Sequence, residues 1–135
     1  MMDAEDDEKQ LEAQKKLLRR LNDINKELPF TLYYISHLRK ATNGRKPHEE
    51  GGRVYMDDFV GGKATTQYAS FTFGLERDQQ GDDKNTSYLR VLKDRYTGDS
   101  TGEVLTMVYD QKTGRKYVKQ DNPFEEESTN TNEEF

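Results

Sequence analysis

The segment that most restricts the fold is FTLYYI, residues 30–35, an apolar run interrupted only by Thr31. It lacks the apolar and polar alternation of a strand with one face in water, and is typical of a parallel strand covered on both faces. Such a strand needs neighbours on both sides. Of the 135 residues only 31% are hydrophobic and 35% are charged, which is a low apolar content for a chain of this length to build its own core. We therefore expect at most one domain, and leave open whether the chain contains all of it.

A long helix is expected before this strand. Apolar residues recur there at spacings of three, four and seven, the helical period, and Pro29 ends the pattern. The acidic residues between Asp3 and Glu8 suit the positive end of the helix dipole. The apolar residues of the pattern are Leu11, Leu17, Leu18, Leu21, Ile24 and Leu28.

After residue 35 the pattern predicts mostly strands. Residues 39–53 form a loop that is too polar to pack, and residues 63–69 a short helix. SFTFGLER (70–77) is a strand with Phe71, Phe73 and Leu75 on one face. SYLRVLKDRY is a further strand, and EVLTMVY with RKYVKQ forms a hairpin whose turn carries Gly114.

Composition excludes several classes of function. The chain has no cysteine, which excludes disulfides, thiol catalysis and cysteine-ligated zinc sites, and its two histidines are too few for a histidine-only metal cluster, so no metal site is expected. No apolar run reaches the length of a membrane helix, and the start does not resemble a signal peptide. These features predict a cytosolic protein.

The stretch GGKAT around Lys63 superficially resembles a phosphate-binding loop. A Walker A loop needs glycine six residues before its lysine and serine or threonine directly after it. Here those positions hold Asp57 and Ala64. The pattern fails at both, so this stretch requires another explanation.

Charge divides the chain into a body, residues 1–119, and a tail, residues 120–135. All 21 Lys and Arg lie at or before Lys119, against 20 acids, whereas the tail carries six acids and no base. A polar acidic segment cannot bury enough surface to offset its chain entropy. We expect a disordered acidic tail that ends in Phe135.

Several separate motifs together carry a resemblance to a known family. ISHLRK, HEEGG, DF-x-GG-x-A-xx-Q, LERDQQGD, VLKDRYTGD, YDQKTG and the acidic tail with its final phenylalanine stand in this order over roughly residues 6–135. In this order the chain resembles the bacteriophage replicative primase-helicases, RecA-fold ring helicases related to bacterial replicative helicases and mitochondrial Twinkle. The family's primase, Walker A loop, catalytic glutamate and Walker B strand precede the matching region.

The resemblance implies a catalytic role for four residues. His37 corresponds to the γ-phosphate sensor, Gln67 to the relay between nucleotide and DNA, and Arg95 with Lys93 to the arginine finger that reaches into the next subunit. Without the resemblance, His37 would be interpreted as a capping or packing residue. Lys93 and Arg95 would be interpreted as residues on the solvent-exposed face of an edge strand. A phage-type arginine before the glutamine is replaced here by Thr66.

The same resemblance implies binding residues. Arg77 and Tyr109 correspond to the pair that sandwiches the nucleobase. Basic residues in the loop after His37 and near Gln67 correspond to contacts with single-stranded DNA, although a solvated basic loop is the alternative. These residues are Arg39, Lys40, Arg45, Lys46 and Lys63. The tail corresponds to the polymerase-recruiting tail, with Glu125, Glu126, Glu127, Glu133, Glu134 and Phe135 as its candidates.

These observations predict an α/β fold, the C-terminal part of a RecA-like motor domain with a disordered tail. The implied function is ATP-dependent 5′ to 3′ unwinding in DNA replication, using ATP or dTTP with Mg²⁺ whose ligands lie on another chain. We expect a hexameric ring in the host cytoplasm, completed by a Walker-containing N-terminal half, and no activity from this chain alone. A non-enzymatic DNA- and polymerase-binding module, or a fragment of an interrupted gene, remain the alternatives.

Overall fold

The computed structural model of the chain describes residues 4–42 and 44–119. A long helix leads into an extended segment and a loop, and a short helical region then precedes a four-stranded sheet. The elements are α1 (Ala4–Glu27), a 3₁₀ turn (Met56–Asp58), α2 (Lys63–Gln67), β1 (Phe71–Glu76), β2 (Thr86–Asp94), β3 (Val104–Asp110) and β4 (Arg115–Val118). The predictions for the tail fall outside the described residues.

Helix α1 confirms the helix predicted from the apolar period. Its first turn contains Glu5, Asp6 and Asp7, its last turn contains Lys26, and it ends two residues before Pro29. Leu18 is its buried residue. Despite its length, α1 is too polar to cross a membrane, and no other helix within residues 4–42 and 44–119 is suited to do so.

The sheet is an antiparallel meander in the order β1-β2-β3-β4. In the first pair Leu75 lies opposite Leu89, which lies opposite Leu105 in the second pair. A register shift between Thr72 and Phe73 marks a bulge in the pairing of β1 with β2. The strands predicted after residue 69 and the final hairpin are thus present, and every strand pairing among the described residues is antiparallel.

The two faces of β1 show an unexpected distribution of polarity. Phe71, Phe73 and Leu75 share one face as predicted, but they are 43%, 44% and 58% exposed. The opposite face, with Thr72 and Glu76, is buried. We call the exposed set of Phe71, Phe73 and Leu75 the β1 apolar surface. The rings of Phe71 and Phe73 stack with centroids 6.1 Å apart.

The prediction of a buried strand at residues 30–35 is wrong for the chain as described. The segment is extended, but it joins no strand ladder within residues 4–42 and 44–119. All six of its residues are exposed, with Tyr33 at 83% and Ile35 at 92%. The apolar run correctly indicated extended backbone, but no other described strand pairs with it or covers it.

Candidate functional site

The segment with His37 lies beside the chain that leads into the glycine pair. Leu38 forms an antiparallel bridge with Phe59. The carbonyl of His37 accepts a hydrogen bond from the amide of Val60 (3.0 Å), and the amide of Arg39 donates to the carbonyl of Asp58 (2.6 Å). These backbone bonds place the exposed side chains of His37 and Arg39 next to the turn that precedes α2.

The glycine pair Gly61-Gly62 forms the tight turn into α2. Gly61 has φ +90°, and a Cβ there would lie 2.5 Å from Thr65 Oγ1 and 2.7 Å from Gln14 Oε1. Both the backbone conformation and the lack of space therefore require glycine. Thr65 Oγ1 donates to the carbonyl of Val60 (2.7 Å), which closes the turn. The GGKAT stretch is thus a helix-starting turn that supports the exposed Lys63 and Gln67.

A buried carboxylate, Asp58, organises the loop after His37. Arg45 donates to both of its oxygens, with Nη1 at 3.1 Å from Oδ2 and Nη2 at 2.6 Å from Oδ1. Burial alone raises the pKa of Asp58, but the bonds from Arg45 and from the Tyr55 amide (2.8 Å) outweigh it and hold the pKa below its ordinary value. The Arg45 guanidinium also lies over the ring of Tyr55 at 4.8 Å. The guanidinium of Arg45 is thus paired with the Asp58 carboxylate, whereas the side chains of Lys40 and Lys46 are exposed.

The expectation that residues 39–53 are too polar to pack is wrong. The loop is fastened to the turn after β1, because Glu50 bridges Asp78 and the carbonyl of Glu49 accepts from the Gln79 amide at 2.9 Å. Gly52 is buried, and the carbonyls of Lys46 and Pro47 occupy the space that a Cβ would need. The polar loop packs through hydrogen bonds and an ion pair instead of through apolar side chains.

The side chain of Arg95 is exposed directly after β2. It lies on a turn that hydrogen bonds to the preceding Asp94 hold in place. The Arg95 amide donates to the carbonyl of Ser70 (2.9 Å). The Asp94 carboxylate accepts from the Thr97 and Ser100 hydroxyls, both at 2.9 Å, and from the Tyr96 amide at 3.0 Å. The hydroxyl bonds, with those from backbone amides, hold the pKa of Asp94 far below its usual range. Arg95 is therefore presented from a turn with a fixed backbone.

Arg77 and Tyr109 are anchored to adjacent residues of one turn. Arg77 Nε donates to the carbonyl of Lys84 (2.7 Å), and the amide of Tyr109 donates to the carbonyl of Asn85 (2.9 Å). Tyr109 is at the end of β3 and remains 40% exposed. The structure therefore brings these two candidates, which lie 32 positions apart in the sequence, to the same end of the sheet.

Lys93 lies at the opposite end of the sheet, near the end of β2, and connects β2 to α2. Its Nζ donates to the carbonyls of Thr66 (2.9 Å) and Gln67 (3.3 Å). Helix α2 is therefore contacted from two sides: the segment with His37 and Arg39 adjoins its start, and the end of β2 adjoins its last turn. Six of the predicted site residues lie on this helix or next to it: His37, Arg39, Lys63, Gln67, Lys93 and Arg95.

The sequence reasoning missed three carboxylates that shape this region: Asp58, Glu76 and Asp94. Glu76 occupies a buried position of β1 and accepts from Arg90 Nε (2.8 Å), Arg90 Nη2 (3.1 Å) and the Val54 amide (3.0 Å). The sequence did contain a signal for Glu76, because Thr72, Gly74 and Glu76 are every second residue of β1 and therefore share one face of the strand. Nothing local marked Asp58, because its partner Arg45 lies 13 residues away in a polar loop.

Comparison with known proteins agrees with the motif resemblance. No protein-family model matches the chain. The chain is 39% identical over 99 residues to the DNA helicase/primase of Enterobacteria phage T3. The match covers 73% of this chain and 17% of the phage T3 protein, so the chain spans about a sixth of that relative's length. Over these 99 residues the chain is related to one part of the phage T3 DNA helicase/primase.

Proposed function

We propose that the chain is the C-terminal portion of the motor domain of a phage-type replicative DNA helicase, which couples nucleotide hydrolysis to 5′ to 3′ unwinding. One observation carries this proposal: two of the candidate catalytic residues, His37 and Lys93, bond to the turn before α2 and to the end of α2, where the candidate DNA residues Arg39 and Lys63 also lie. The His37 carbonyl bonds to Val60, and Lys93 Nζ bonds to the end of α2. A relay between nucleotide and DNA requires such proximity.

Arg95 is the proposed arginine finger. Phosphoryl transfer accumulates charge on the γ-phosphate oxygens, and a guanidinium supplied from a neighbouring subunit stabilises it, by roughly a thousandfold or more in rate. A finger must be exposed toward that neighbour and must be held in place. Arg95 meets both requirements, because its side chain is exposed and its backbone is bonded to Ser70.

The nucleotide of this proposal is ATP or dTTP with Mg²⁺. Arg77 and Tyr109 would hold the nucleobase through the planar guanidinium and the aromatic ring, a contact that tolerates more than one base. His37 would hydrogen-bond to the γ-phosphate. The proposal places the phosphate-cradling loop, the magnesium ligands and the water-activating carboxylate on the Walker-containing part of the motor.

Single-stranded DNA is the proposed polymer track. Lys40, Lys46 and Lys63 are exposed, and the Arg39 guanidinium lies beside Gly62, 3.7 Å from the position of a Cβ there. Contact between such cations and phosphates is independent of base sequence and sensitive to salt, as a translocating motor requires. Arg45 has a different place in this proposal, since its ion pair with Asp58 shapes the loop that carries the other cations.

Two exposed apolar regions support the proposal that a Walker-containing chain completes the motor. The β1 apolar surface and residues 30–35 expose large apolar side chains that fully buried would each contribute about 1.5–3 kcal/mol. Exposed apolar regions of this kind mark interaction sites. The proposed hexameric ring and its place in the host cytoplasm belong to this complete motor.

Mixing experiments test the proposal. The purified chain alone should hydrolyse no ATP, and addition of a Walker-containing chain should restore hydrolysis that single-stranded DNA stimulates. Phe73→Glu should prevent this restoration, because it places a charge in the β1 apolar surface. Tyr117→Glu is the matched control on an exposed aromatic residue of β4. Steady hydrolysis by the contaminant-free chain alone would contradict the proposal, as would equal restoration by both variants.

The acidic tail is proposed to bind the replicative DNA polymerase. Its six acids would be attracted to a basic protein surface, and Phe135 with the terminal carboxylate would supply an apolar anchor. A non-enzymatic module would retain DNA and polymerase binding but gain no hydrolysis on mixing. The same mixing experiment therefore separates the helicase proposal from this alternative.

A further inference from the structure

Lys93 hydrogen-bonds to the last carbonyls of α2, a helix that lies far from it in the sequence. Its Nζ donates to the carbonyls of Thr66 at 2.9 Å and Gln67 at 3.3 Å, across 27 and 26 positions of the sequence. The last carbonyls of a helix have no partner within the helix and carry partial negative charge. An ammonium group is well suited to bind them, because it has three donors and no acceptor.

Helix α2 depends on such external contacts. It is five residues long, far shorter than a helix that is stable by itself in water. Its start is held by the Gly61-Gly62 turn and by the bond from Thr65 to Val60. Lys93 holds its end. The position of Gln67, the last residue of α2, is therefore set in part by Lys93.

A second bond joins the same two segments. The Arg95 amide donates to the carbonyl of Ser70 at 2.9 Å, so the residues on both sides of Asp94 bind the segment 66–70. Asp94 fixes the turn that follows. A movement of Arg95 would thus be transmitted through Asp94 and Lys93 to the end of α2.

We propose that Lys93 is a positioning residue that fixes Gln67 relative to Arg95 through its bonds to the last turn of α2. The coupling of nucleotide to DNA through this bond rests on the proposed function. The bond itself does not, since it lies within one chain and needs neither nucleotide nor DNA.

The surroundings of Lys93 favour this role. Among the described residues no carboxylate lies within ion-pair distance of its ammonium group. Burial lowers the pKa of Lys93, and the charge of Arg95 lowers it further. The hydroxyl of Tyr68, directly after α2, accepts a hydrogen bond from Arg19 Nε at 3.4 Å.

Nuclear magnetic resonance of the full chain tests the bond directly. Carbonyl ¹³C shifts of Thr66 and Gln67 are followed from pH 7 to pH 11 in the parent and in Lys93→Met. Because the two proteins differ only at residue 93, the difference between the two titrations is the readout. We expect the parent carbonyls to show an additional titration that coincides with that of Lys93 and that Lys93→Met removes.

Amide hydrogen exchange across α2 provides the second readout. Loss of a charged donor at the helix end should speed exchange at residues 65–68 roughly tenfold in Lys93→Met. Lys93→Arg should restore most of the protection, and Lys116→Met, on an exposed lysine of β4, should change nothing there. Identical carbonyl titrations and identical exchange in the parent and Lys93→Met would overturn the proposal.

In the completed motor, Lys93→Met should reduce the ratio of hydrolysis rates with and without DNA toward one, and Lys93→Arg should retain most of that ratio. A loss of hydrolysis by the same factor with and without DNA would overturn the coupling role and place Lys93 at the nucleotide. These results are separable from failure of the proposed function, which would leave the carbonyl titration and the exchange difference intact.

Discussion

The ion pair between Glu76 and Arg90 is the strongest single test of how the sheet is held to the loop that precedes α2. Glu76 is 5% exposed on β1 and accepts two bonds from Arg90, at 2.8 and 3.1 Å. Its Oε1 also accepts from the amide of Val54, itself a buried residue of the preceding loop. Arg90→Met keeps much of the apolar stem but removes the charge, and it leaves Glu76 with the Val54 amide as its remaining partner among these three bonds.

The expected cost follows from the burial of the pair. Removing one member of a buried ion pair costs about 3–5 kcal/mol, because the other charge stays buried without its counterion. The side chain of Arg90 is 18% exposed and Glu76 retains one amide bond, so we expect the lower end, roughly 3 kcal/mol. For a domain of this size that corresponds to a fall in Tm of about 10–20 °C.

Thermal and urea unfolding followed by circular dichroism measure this cost. Arg115→Met removes an exposed arginine of β4 and should change the free energy of unfolding by less than about 0.5 kcal/mol. The double variant Glu76→Gln with Arg90→Met removes both charges and keeps an oxygen for the Val54 amide. It should recover more than about 1 kcal/mol relative to Arg90→Met alone. An Arg90→Met protein as stable as Arg115→Met would refute the reasoning.

The same pair predicts a pH dependence. Burial alone raises the pKa of Glu76, but the bonds from Arg90 and the Val54 amide outweigh it, and the pKa lies below the ordinary value of 4.5. A carboxylate with a lowered pKa contributes stability above its unfolded pKa and loses that contribution as the pH falls through the folded pKa. The parent should therefore lose stability below about pH 4.5 more steeply than the double variant, which lacks the carboxylate.

Three further predictions concern function. In the completed motor, Arg95→Ala should abolish turnover while nucleotide binding persists, and Arg95→Lys should restore little; turnover at the parent rate would refute the assignment. Neutralising Arg39, Lys40 and Lys46 together should weaken single-strand binding at every sequence and reduce the log–log salt slope by about 0.7 per lost phosphate contact; an unchanged slope would place the DNA site elsewhere. Removing residues 120–135 should leave DNA-stimulated hydrolysis intact and abolish salt-sensitive polymerase binding in a titration at two salt concentrations; equal affinities would exclude a recruiting role.

Local sequence signals were sufficient to predict those elements whose geometry depends only on residues close by in the sequence. The period of the apolar residues and Pro29 predicted α1, which the structure bounds at Ala4–Glu27. Alternation correctly placed Phe71, Phe73 and Leu75 on one face of β1. The short helix after the glycine pair was predicted two residues too long, since it ends at Gln67. These features follow from backbone geometry that operates over a few residues.

The motifs also predicted the family, which the 39% identity over 99 residues supports. They did not predict how the site is assembled. Arg45 was grouped with DNA-binding cations on its charge and place in the loop, but whether its guanidinium meets a phosphate or a carboxylate depends on Asp58. The roles assigned to His37, Gln67 and Arg95 remain proposals.

Only the tertiary structure decided which side of the sheet is covered. Alternation placed Phe71, Phe73 and Leu75 on one face of β1 but did not decide burial: Thr72 and Glu76 are buried, whereas Phe73 is exposed. The reason is that burial depends on what packs from elsewhere: Val54 and Arg90 bind the carboxylate of Glu76, whereas Tyr96 contacts Phe71 and the β1 apolar surface stays exposed. For the same reason residues 30–35 specified an extended backbone by themselves, but not a strand, because a strand exists only when another strand supplies the hydrogen-bonding partners of its amides and carbonyls.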